Sequence, residues 1–186
     1  MKLPRTLRLD ASDTFIFANA AEAGEWAVSG SFMFFDCDLD TLGPKDRAAL
    51  RAGFLGTSSF GWSTLAVVTP ITEDERASVV ERLAHFIHEN MGAPSLEAAR
   101  AAAEEEIAFA ASICDHPEGT VLAVQRGIEE GEIRERFRTL HQKAREKGAD
   151  SLHAQARAFT FVESEGEESA IEEHVDLIGL MKDKAS

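Results

Sequence analysis

Apolar and polar residues alternate along the first third of the chain with the period of two that is typical of β-strands. This pattern predicts strands over residues 6–9, 14–17 and 26–35. In the third segment apolar side chains, among them Phe32 and Phe35, fall on both faces, which predicts an internal strand of a sheet. The first third is therefore expected to be a β-meander.

Helix signals dominate the middle of the chain. Gly43 and Pro44 begin a short helix that is predicted to end at Ala52, since proline is tolerated in a first helical turn. Thr72 is predicted to cap a longer helix, because three acidic residues follow it at the positive end of the helix dipole. Ser95 is predicted to cap the next helix. The buried stripe of that helix recurs at steps of three and four residues: Leu96, Ala99, Ala103, Ile107, Ala110 and Cys114.

Further strands are predicted over residues 62–71, 120–126 and 156–162, and further helices over residues 130–147 and 169–181. Residues 65–83 and 122–140 also resemble each other at a constant offset. A duplicated strand–helix unit would explain this similarity. Shared patterning, which any two strand–helix units show, explains it as well.

These elements predict a single α+β domain over residues 1–186. We expect a mixed or mainly antiparallel sheet of about five to six strands, with about five helices packed mostly on one face. A length of 186 residues is sufficient for one hydrophobic core. The hydrophobic fraction of 44% and the charged fraction of 28% are ordinary for a globular protein and agree with this prediction.

The formal net charge of −14 restricts the possible partners. It repels nucleic-acid phosphates and anionic lipids, so we expect neither nucleic acid nor a membrane surface as a partner. Two cysteines cannot form a disulfide framework, and we find neither the apolar run of a signal peptide nor a run of about 18 apolar residues. We therefore expect a soluble cytoplasmic protein.

Asp36, Asp38 and Asp40 are weak candidates for a metal site, because they alternate like the first ligands of a calcium loop. Such a loop needs glycine at its sixth position and a bidentate acid at its twelfth, and here these residues are Thr41 and Arg47. A polar segment that leads into a helix is the favoured interpretation.

Glu81, His85 and His88 lie on one helical stripe that could hold zinc. The stripe is on the far side of the helix from Val80 and Ile87, and no apolar residue on it would exclude water. We predict a solvated face here, and neither a metal nor a cofactor for this protein.

Glu106 is the acidic residue with the most unusual surroundings. It lies between the buried stripe that contains Ala103 and Ile107 and an apolar edge that contains Phe109. We expect this acid to be half-buried, with a raised pKa unless a cation or metal meets it. An ion pair with an arginine from another element is the alternative role, since structural pairs also perturb pKa values.

His116 and Trp62 are the other tentative pocket candidates beside Glu106. His116 precedes Pro117 and is expected on a turn before a strand, where binding residues are common. Cys114 continues the buried stripe, so we expect it to act as a small apolar side chain and not as a nucleophile paired with His116. We assign no catalytic residue.

Two further segments have an unusual composition. Residues 53–61 are rich in Gly and Ser, but they contain no Lys and lead into a strand, so they lack the helix N-terminus that phosphate cradles use. Residues 163–186 are strongly acidic, whereas residues 134–147 are locally basic. The acidic segment could be an appendage, a contact within the chain, or a dimer or partner contact, and a solvated face is the alternative.

Four segments resemble a bacterial family of uncharacterised proteins: LPRTLRLDASDTFIF (residues 3–17), EWAVSGSF (25–32), GFLGTSSFGWSTL (53–65) and AEEEIAFAASICDHPEGTVLAVQR (103–126). The resemblance covers about residues 3–145, and the C-terminal part looks more individual. It implies no activity, cofactor or catalytic residue. It implies at most an accessory role, in support of redox metalloenzymes and cofactor attachment.

The first functional hypothesis is a non-enzymatic accessory or protein-interaction protein whose partner is a second copy of itself or another protein. It would act through its acidic C-terminal surface or through a groove near Glu106 and His116. The alternative is a small-molecule-binding protein or an enzyme with a Phe- and Trp-lined pocket around Glu106 and His116. A pocket that encloses both side chains favours the alternative, and separate surfaces favour the first hypothesis.

Overall fold

The structure is a computed structural model that describes residues 1–35, 37–142 and 161–164. These residues contain four α-helices and one 3-10 helix: α1 (Ser12–Ile16), α2 (Pro44–Ala52), α3 (Glu73–Asn90), α4 (Leu96–Ser112) and the 3-10 helix (Ser31–Phe34). The first four strands are β1 (Lys2–Leu7), β2 (Ala27–Val28), β3 (Phe54–Gly56) and β4 (Trp62–Ser63). The others are β5 (Leu65–Pro70), β6 (Val121–Glu129), β7 (Glu132–Gln142) and β8 (Phe161–Ser164).

The strands form two antiparallel sheets. The larger sheet has the order β1-β5-β6-β7-β8 and the smaller one has the order β2-β3-β4. An antiparallel bridge between Arg5 and Trp26 joins β1 to the residue that precedes β2. The α+β class and the mainly antiparallel pairing are therefore confirmed, whereas the single predicted sheet is divided into two.

Local sequence signals account for the helix starts. Thr72 and Glu75 form a capping box at α3, in which each side chain accepts a hydrogen bond from the backbone N–H of the other residue. The Ser95 hydroxyl accepts a hydrogen bond from the backbone N–H of Ala98 at the start of α4. Pro44 occupies the first turn of α2. These predictions are confirmed.

Two hydrophobic clusters lie between the helices and the sheets. The larger contains side chains of α3 and α4, such as Leu83 and Ile107, together with Leu3 and Leu55. The members of the smaller are Ala27, Phe54, Ala66, Val68, Cys114, Leu122 and Val124. Side chains at alternate positions of a strand share a face. The residue after Val124 on the inward face of β6 is Arg126, so a charged side chain enters the core.

Residues 14–17 do not form the predicted strand, because residues 14–16 belong to α1. The Asp13 carboxylate in this helix is buried and accepts hydrogen bonds from the hydroxyl groups of Ser63 and Thr64. These partners are distant in the sequence. The alternation of apolar residues could not reveal these hydrogen bonds, because they join residues that are far apart in the sequence.

The predicted strand over residues 26–35 is also wrong in its length. β2 ends at Val28, and the 3-10 helix begins at Ser31. Between them Gly30 has a φ of 80°, and a Cβ atom there would lie 2.5 Å from the Cβ of Leu55. The left-handed backbone and the close approach of Leu55 end the strand at a position that glycine alone fits.

The predicted helix over residues 130–147 is wrong, since β7 occupies residues 132–142 and residues 143–147 lie outside the described residues. Glu130 and Gly131 have φ values of 55° and 82°, the condition for a two-residue type I′ hairpin turn between β6 and β7. Abundant Glu and Arg favoured a helix, but the side chains alternate between inward and outward positions as in a strand.

The remaining predictions concern the C-terminal part and the internal similarity. Of the predicted strand over residues 156–162, the structure describes 161–162, which belong to β8, and the predicted helix over residues 169–181 lies outside the described residues. Residues 65–83 contain β5 and a helix, whereas residues 122–140 contain the β6–β7 hairpin. The similarity therefore reflects shared patterning and not a duplicated unit.

Candidate functional site

A buried arginine lies at the centre of the polar part of the core. Arg126 is 4% exposed, and it is buried because it follows Leu122 and Val124 on the inward face of β6. A buried charge is costly unless it is paired and hydrogen-bonded. The partners of this guanidinium group therefore define the site.

One side of the guanidinium group holds the carboxyl end of α2. The Nη1 atom of Arg126 donates to the carbonyl oxygens of Gly53 at 2.8 Å, Leu50 at 3.2 Å and Ala49 at 3.4 Å. Carbonyl groups in the last turn of a helix have no partner within the helix, and a cation there also interacts favourably with the helix dipole. Arg126 is thus a C-terminal cap of α2 that comes from a distant strand.

The other side of the guanidinium group contacts a carboxylate and a serine. The Nε atom donates to Oε1 of Glu135 at 2.6 Å, and Nη2 donates to the carbonyl oxygen of Ser29 at 2.5 Å and to its hydroxyl oxygen at 3.2 Å. The Ser29 hydroxyl donates to Oε1 of Glu135 at 2.5 Å. Arg126 and Glu135 are partners in the β6–β7 ladder, so the hairpin register brings them together.

Glu106 on α4 faces this pair. Burial and the negative charge of Glu135 raise the pKa of Glu106 to about 7, against the attraction of Arg126. Its Oε2 atom is buried and has no hydrogen-bond partner among the described residues. The predicted half-burial and raised pKa of this acid are therefore confirmed. We call Ser29, Glu106, Arg126 and Glu135 the buried polar centre.

The other two pocket candidates form no hydrogen bond or ion pair with Glu106 in the described residues. His116 is exposed beyond the end of α4, and its carbonyl oxygen accepts a hydrogen bond from Nζ of Lys2. Trp62 is buried in β4 and stacks on Phe34 with 5.3 Å between the ring centroids. Its ring also packs against Gly53, whose carbonyl group bonds to Arg126.

Cys114 has the surroundings of a structural thiol. It is a member of the smaller hydrophobic cluster, and burial raises its pKa to about 12. A thiol with such a pKa is not ionised at neutral pH and is a poor nucleophile. The predicted role as a small apolar side chain is confirmed.

The loop that resembles a calcium site is held by a cation of the chain itself. Arg47 donates from Nη2 to the carbonyl oxygen of Asp40 at 2.7 Å and from Nε to that of Leu42 at 2.9 Å. Oδ1 of Asp38 accepts a hydrogen bond from the N–H of Asp40 at 3.1 Å. Asp36 lies outside the described residues. Among the residues that are described, no group of three or more His, Cys, Asp and Glu side chains could hold a metal ion.

The stripe of Glu81, His85 and His88 is a solvated face, as predicted. Both histidines are exposed, and Nδ1 of His88 lies 3.1 Å from the carbonyl oxygen of Ala93. The carboxylate of Glu81 accepts two hydrogen bonds from Arg100 of α4, at 2.8 Å and 2.9 Å. The Glu81 carboxylate therefore forms an ion pair that joins α3 to α4.

The Gly- and Ser-rich loop binds an anion that belongs to the chain itself. The Glu25 carboxylate accepts hydrogen bonds from the backbone N–H groups of Ser58 at 2.7 Å and Ser59 at 2.9 Å, and from the Ser59 hydroxyl at 2.5 Å. A Cβ atom at Gly56 would lie 2.4 Å from Cδ of Glu25. The loop thus supports the smaller sheet, which agrees with the prediction that it is not a phosphate cradle.

An open groove lies between α1 and α2, with a volume of about 630 Å³. Much of its wall is apolar: Ile16, Phe17, Leu42, Pro44, Ala48 and Ala52. Ile16 is 39% exposed, and its neighbour Phe15 in α1 is 76% exposed. Large apolar side chains that face water beside a concave surface are typical of interaction sites. We call this surface the α1–α2 groove.

Two arginines one helical turn apart give the groove a basic rim. Arg47 and Arg51 both line it, and the side-chain donors of Arg47 bond to nearby carbonyl groups. For Arg51, no hydrogen bond or ion pair is found in the described part of the chain. On a chain with a net charge of −14, this local positive charge favours an acidic ligand.

The groove and the buried polar centre share helix α2. Ala48, Arg51 and Ala52 line the groove, while the carbonyl groups of Ala49 and Leu50 in the same turn bond to Arg126. The buried polar centre can hold a proton near neutral pH. The hydrogen bonds of Arg126 join this centre to the helix that forms one wall of the groove.

Sequence analysis identified Glu106 but not the charged partners of this acid. Glu135 was assigned to a helix, and Arg126 ended a predicted strand without a role. The burial of Arg126 could have been predicted, because Arg126 lies on the same face of the strand as Leu122 and Val124. No local signal could pair it with the end of α2.

Comparisons with known proteins identify a family. No helix in the described residues is long and apolar enough to cross a membrane. Searches among curated proteins and among solved structures found no similar protein. Residues 1–158 match a family of unknown function (DUF6505), which confirms the expected resemblance to an uncharacterised family and extends it beyond residue 145. The chain therefore belongs to the family of unknown function DUF6505.

Proposed function

We propose that this chain is a non-enzymatic accessory protein that binds a segment of another protein in the α1–α2 groove. The groove carries the proposal, because it combines an apolar wall, the partly exposed Ile16 on that wall and a basic rim. The segment it fits contains apolar side chains with acidic residues beside them.

A protein segment fits this surface better than a small molecule. Sites for small molecules enclose most of the ligand, whereas this groove is open and Ile16 on its wall is 39% exposed. Aromatic and arginine side chains also supply much of the binding energy in protein interfaces. Arg51 offers a planar group that can bind a carboxylate with two hydrogen bonds.

The alternative, a small-molecule site or enzyme around Glu106 and His116, has one supporting observation. A pKa of about 7 suits a general acid or base at neutral pH. However, the guanidinium donors beside Glu106 are engaged with α2, Ser29 and Glu135. His116 lies beyond the end of α4, and no hydrogen bond joins it to Glu106 in the described residues. This function ranks second.

The family resemblance implies a partner among redox metalloenzymes or the proteins that attach their cofactors, and this class is the first to test. A homodimer in which a second copy occupies the groove is the competing arrangement. The acidic segment at residues 163–186 would then be the natural second contact, and its residues beyond Ser164 lie outside the described part of the chain.

The test is affinity capture from a lysate of the source organism, with identification of the bound protein and cross-link mapping of its contact. Ile16→Ser and Arg51→Glu should each lower the yield of the identified partner at least about tenfold, because they remove an apolar anchor from the groove wall and reverse a rim charge. Cross-links should fall on α1 and α2 and on an apolar, acidic segment of the partner.

Two matched controls isolate the groove. Phe35→Ser removes another exposed apolar side chain, at 68% exposure, that does not line the groove. Lys45→Glu makes a comparable charge reversal on the same helix. Both variants should retain binding. Equal loss in the controls, cross-links on another surface, or a molar mass from light scattering that shows a dimer closed through the groove would overturn the proposal.

A further inference from the structure

We propose that protonation of Glu106 controls how firmly Arg126 holds the carboxyl end of α2, and thereby how tightly the α1–α2 groove binds its partner. This inference rests on the proposed function of the groove. It adds a regulator to that function, namely the proton.

The first step is that every N–H group of the Arg126 side chain already has a hydrogen-bond acceptor. A guanidinium group has five N–H bonds. Here Nε donates to Glu135, Nη2 donates twice to Ser29, and the two N–H bonds of Nη1 serve the carbonyl groups at the end of α2, Gly53 among them. No donor of this group remains for a further carboxylate.

The second step is that Glu106 has no other partner when it is charged. Its Oε2 atom is buried without a hydrogen bond among the described residues. The Ser29 hydroxyl already donates to Glu135. The Oε2 atom of an ionised Glu106 therefore stays unpaired unless the carboxylate withdraws an N–H group of Arg126 from α2 or Ser29. A protonated Glu106 is neutral and does not need a hydrogen bond from Arg126 or Ser29.

The third step concerns the charged groups that face Glu106. They are Arg126 on β6, Glu135 on β7 and Glu105 on its own helix. Burial makes the largest contribution to raising the pKa of Glu106 to about 7, and the negative charge of Glu135 makes the second largest. The charge of Glu135 matters because one guanidinium group cannot neutralise two carboxylates. The two protonation states are thus both populated near neutral pH.

The last step connects the proton to the groove. The carbonyl groups of Ala49 and Leu50 bond to Arg126, while Ala48, Arg51 and Ala52 line the groove. If Arg126 turns toward an ionised Glu106, the last turn of α2 loses its cap and the groove wall loosens. Binding is then expected to weaken as the pH rises through 7, by about fivefold or more for a coupling of ordinary size.

Nuclear magnetic resonance on the full-length isotope-labelled chain tests the linkage without any partner. The side-chain carboxyl carbon of Glu106 and the backbone carbonyl carbons of Leu50 and Gly53 should titrate with one common midpoint near pH 7. Glu106→Gln should abolish the titration of both carbonyl carbons. Glu105→Gln removes an exposed neighbouring acid whose charge also raises the pKa of Glu106, so it should retain the titration with a slightly lower midpoint. Carbonyl carbons that do not titrate, or that titrate equally in Glu106→Gln, would disprove the linkage.

Binding of 8-anilinonaphthalene-1-sulfonate, an apolar anion, reports on the groove itself. Its affinity should fall about fivefold or more between pH 6 and pH 8.5 in the wild type and in Glu105→Gln, but not in Glu106→Gln. Ile16→Ser, which removes an apolar side chain from the groove wall, should weaken it at both pH values. If the carbonyl carbons titrate but Ile16→Ser leaves dye binding intact, the groove function fails. If Ile16→Ser weakens binding but affinity is independent of pH, the proton linkage fails.

Discussion

Two arginine–glutamate pairs in this protein have similar distances and very different surroundings. Arg100 and Glu81 form a two-bond pair at 2.8 Å and 2.9 Å, with side chains that are 44% and 47% exposed. Arg126 and Glu135 form one bond at 2.6 Å, with side chains that are 0% and 13% exposed. The exposed pair joins α3 to α4, whereas the buried pair joins β6 to β7 and its arginine also bonds to the end of α2.

The difference teaches that environment, and not pair geometry, decides what an ion pair does. Exposed pairs contribute little, because water solvates both charges and ordering two long side chains costs entropy. A buried pair gains little net free energy from its own attraction, but removing one partner leaves a costly unpaired charge. Arg126 matters most for the carbonyl groups and the serine that it holds in place.

The largest expected effect is that of Arg126→Met. It leaves Glu135 buried without a cation and leaves the last carbonyl groups of α2 without a cap, so we expect the free energy of unfolding to fall by about 3–5 kcal/mol. Urea unfolding followed by circular dichroism measures this change. Arg126→Lys keeps the charge but has three donors in place of five, and should recover only part of the loss. A loss below about 1 kcal/mol would mean that this pair behaves like an exposed one.

The second effect is a gain of stability in Glu106→Gln. The pKa of Glu106 rises from 4.5 to about 7 on folding, so the folded chain binds more protons than the unfolded chain between these pH values. The stabilising contribution of the protonated acid is complete below about pH 4.5 and is lost as the pH rises to about 7. Above that pH, Glu106→Gln should be more stable than the wild type by about 2 kcal/mol, because it carries no buried charge.

Unfolding experiments at pH 5 and pH 8 measure this effect. The difference between Glu106→Gln and the wild type should be large at pH 8 and small at pH 5, and Glu105→Gln should show no such difference. A variant that is less stable than the wild type at pH 8 would show that the charged form of Glu106 makes a favourable contact after all.

The smallest effect is expected at the exposed pair. Hydrogen bonds from Arg100 lower the pKa of Glu81, but because water solvates both groups we expect Arg100→Met to change the free energy of unfolding only slightly. About 1 M NaCl should remove most of this difference, since salt screens exposed charges. A loss of stability as large as that of Arg126→Met, persisting in salt, would remove the contrast between the two pairs.

The secondary structure was predictable where its causes lie within a few residues. The caps at Thr72 and Ser95 and the buried stripe of α4 depend on spacings of three and four residues, so the sequence displays them directly. The same reasoning placed Glu106 correctly, because helical phase fixes which side chains turn toward the core. It failed for residues 14–17 and 130–147, where a buried contact and a hairpin turn outweighed local preference.

By itself, therefore, the sequence determined the α+β class, the faces of α3 and α4, and the unusual position of Glu106. Only the tertiary structure decided that Arg126 meets Glu135 and the end of α2, and that α1 and α2 form a groove. The physical reason is the separation along the sequence between the residues that interact. Helical phase and capping are set by neighbours in the chain, whereas strand register and helix packing depend on contacts between residues far apart in the sequence.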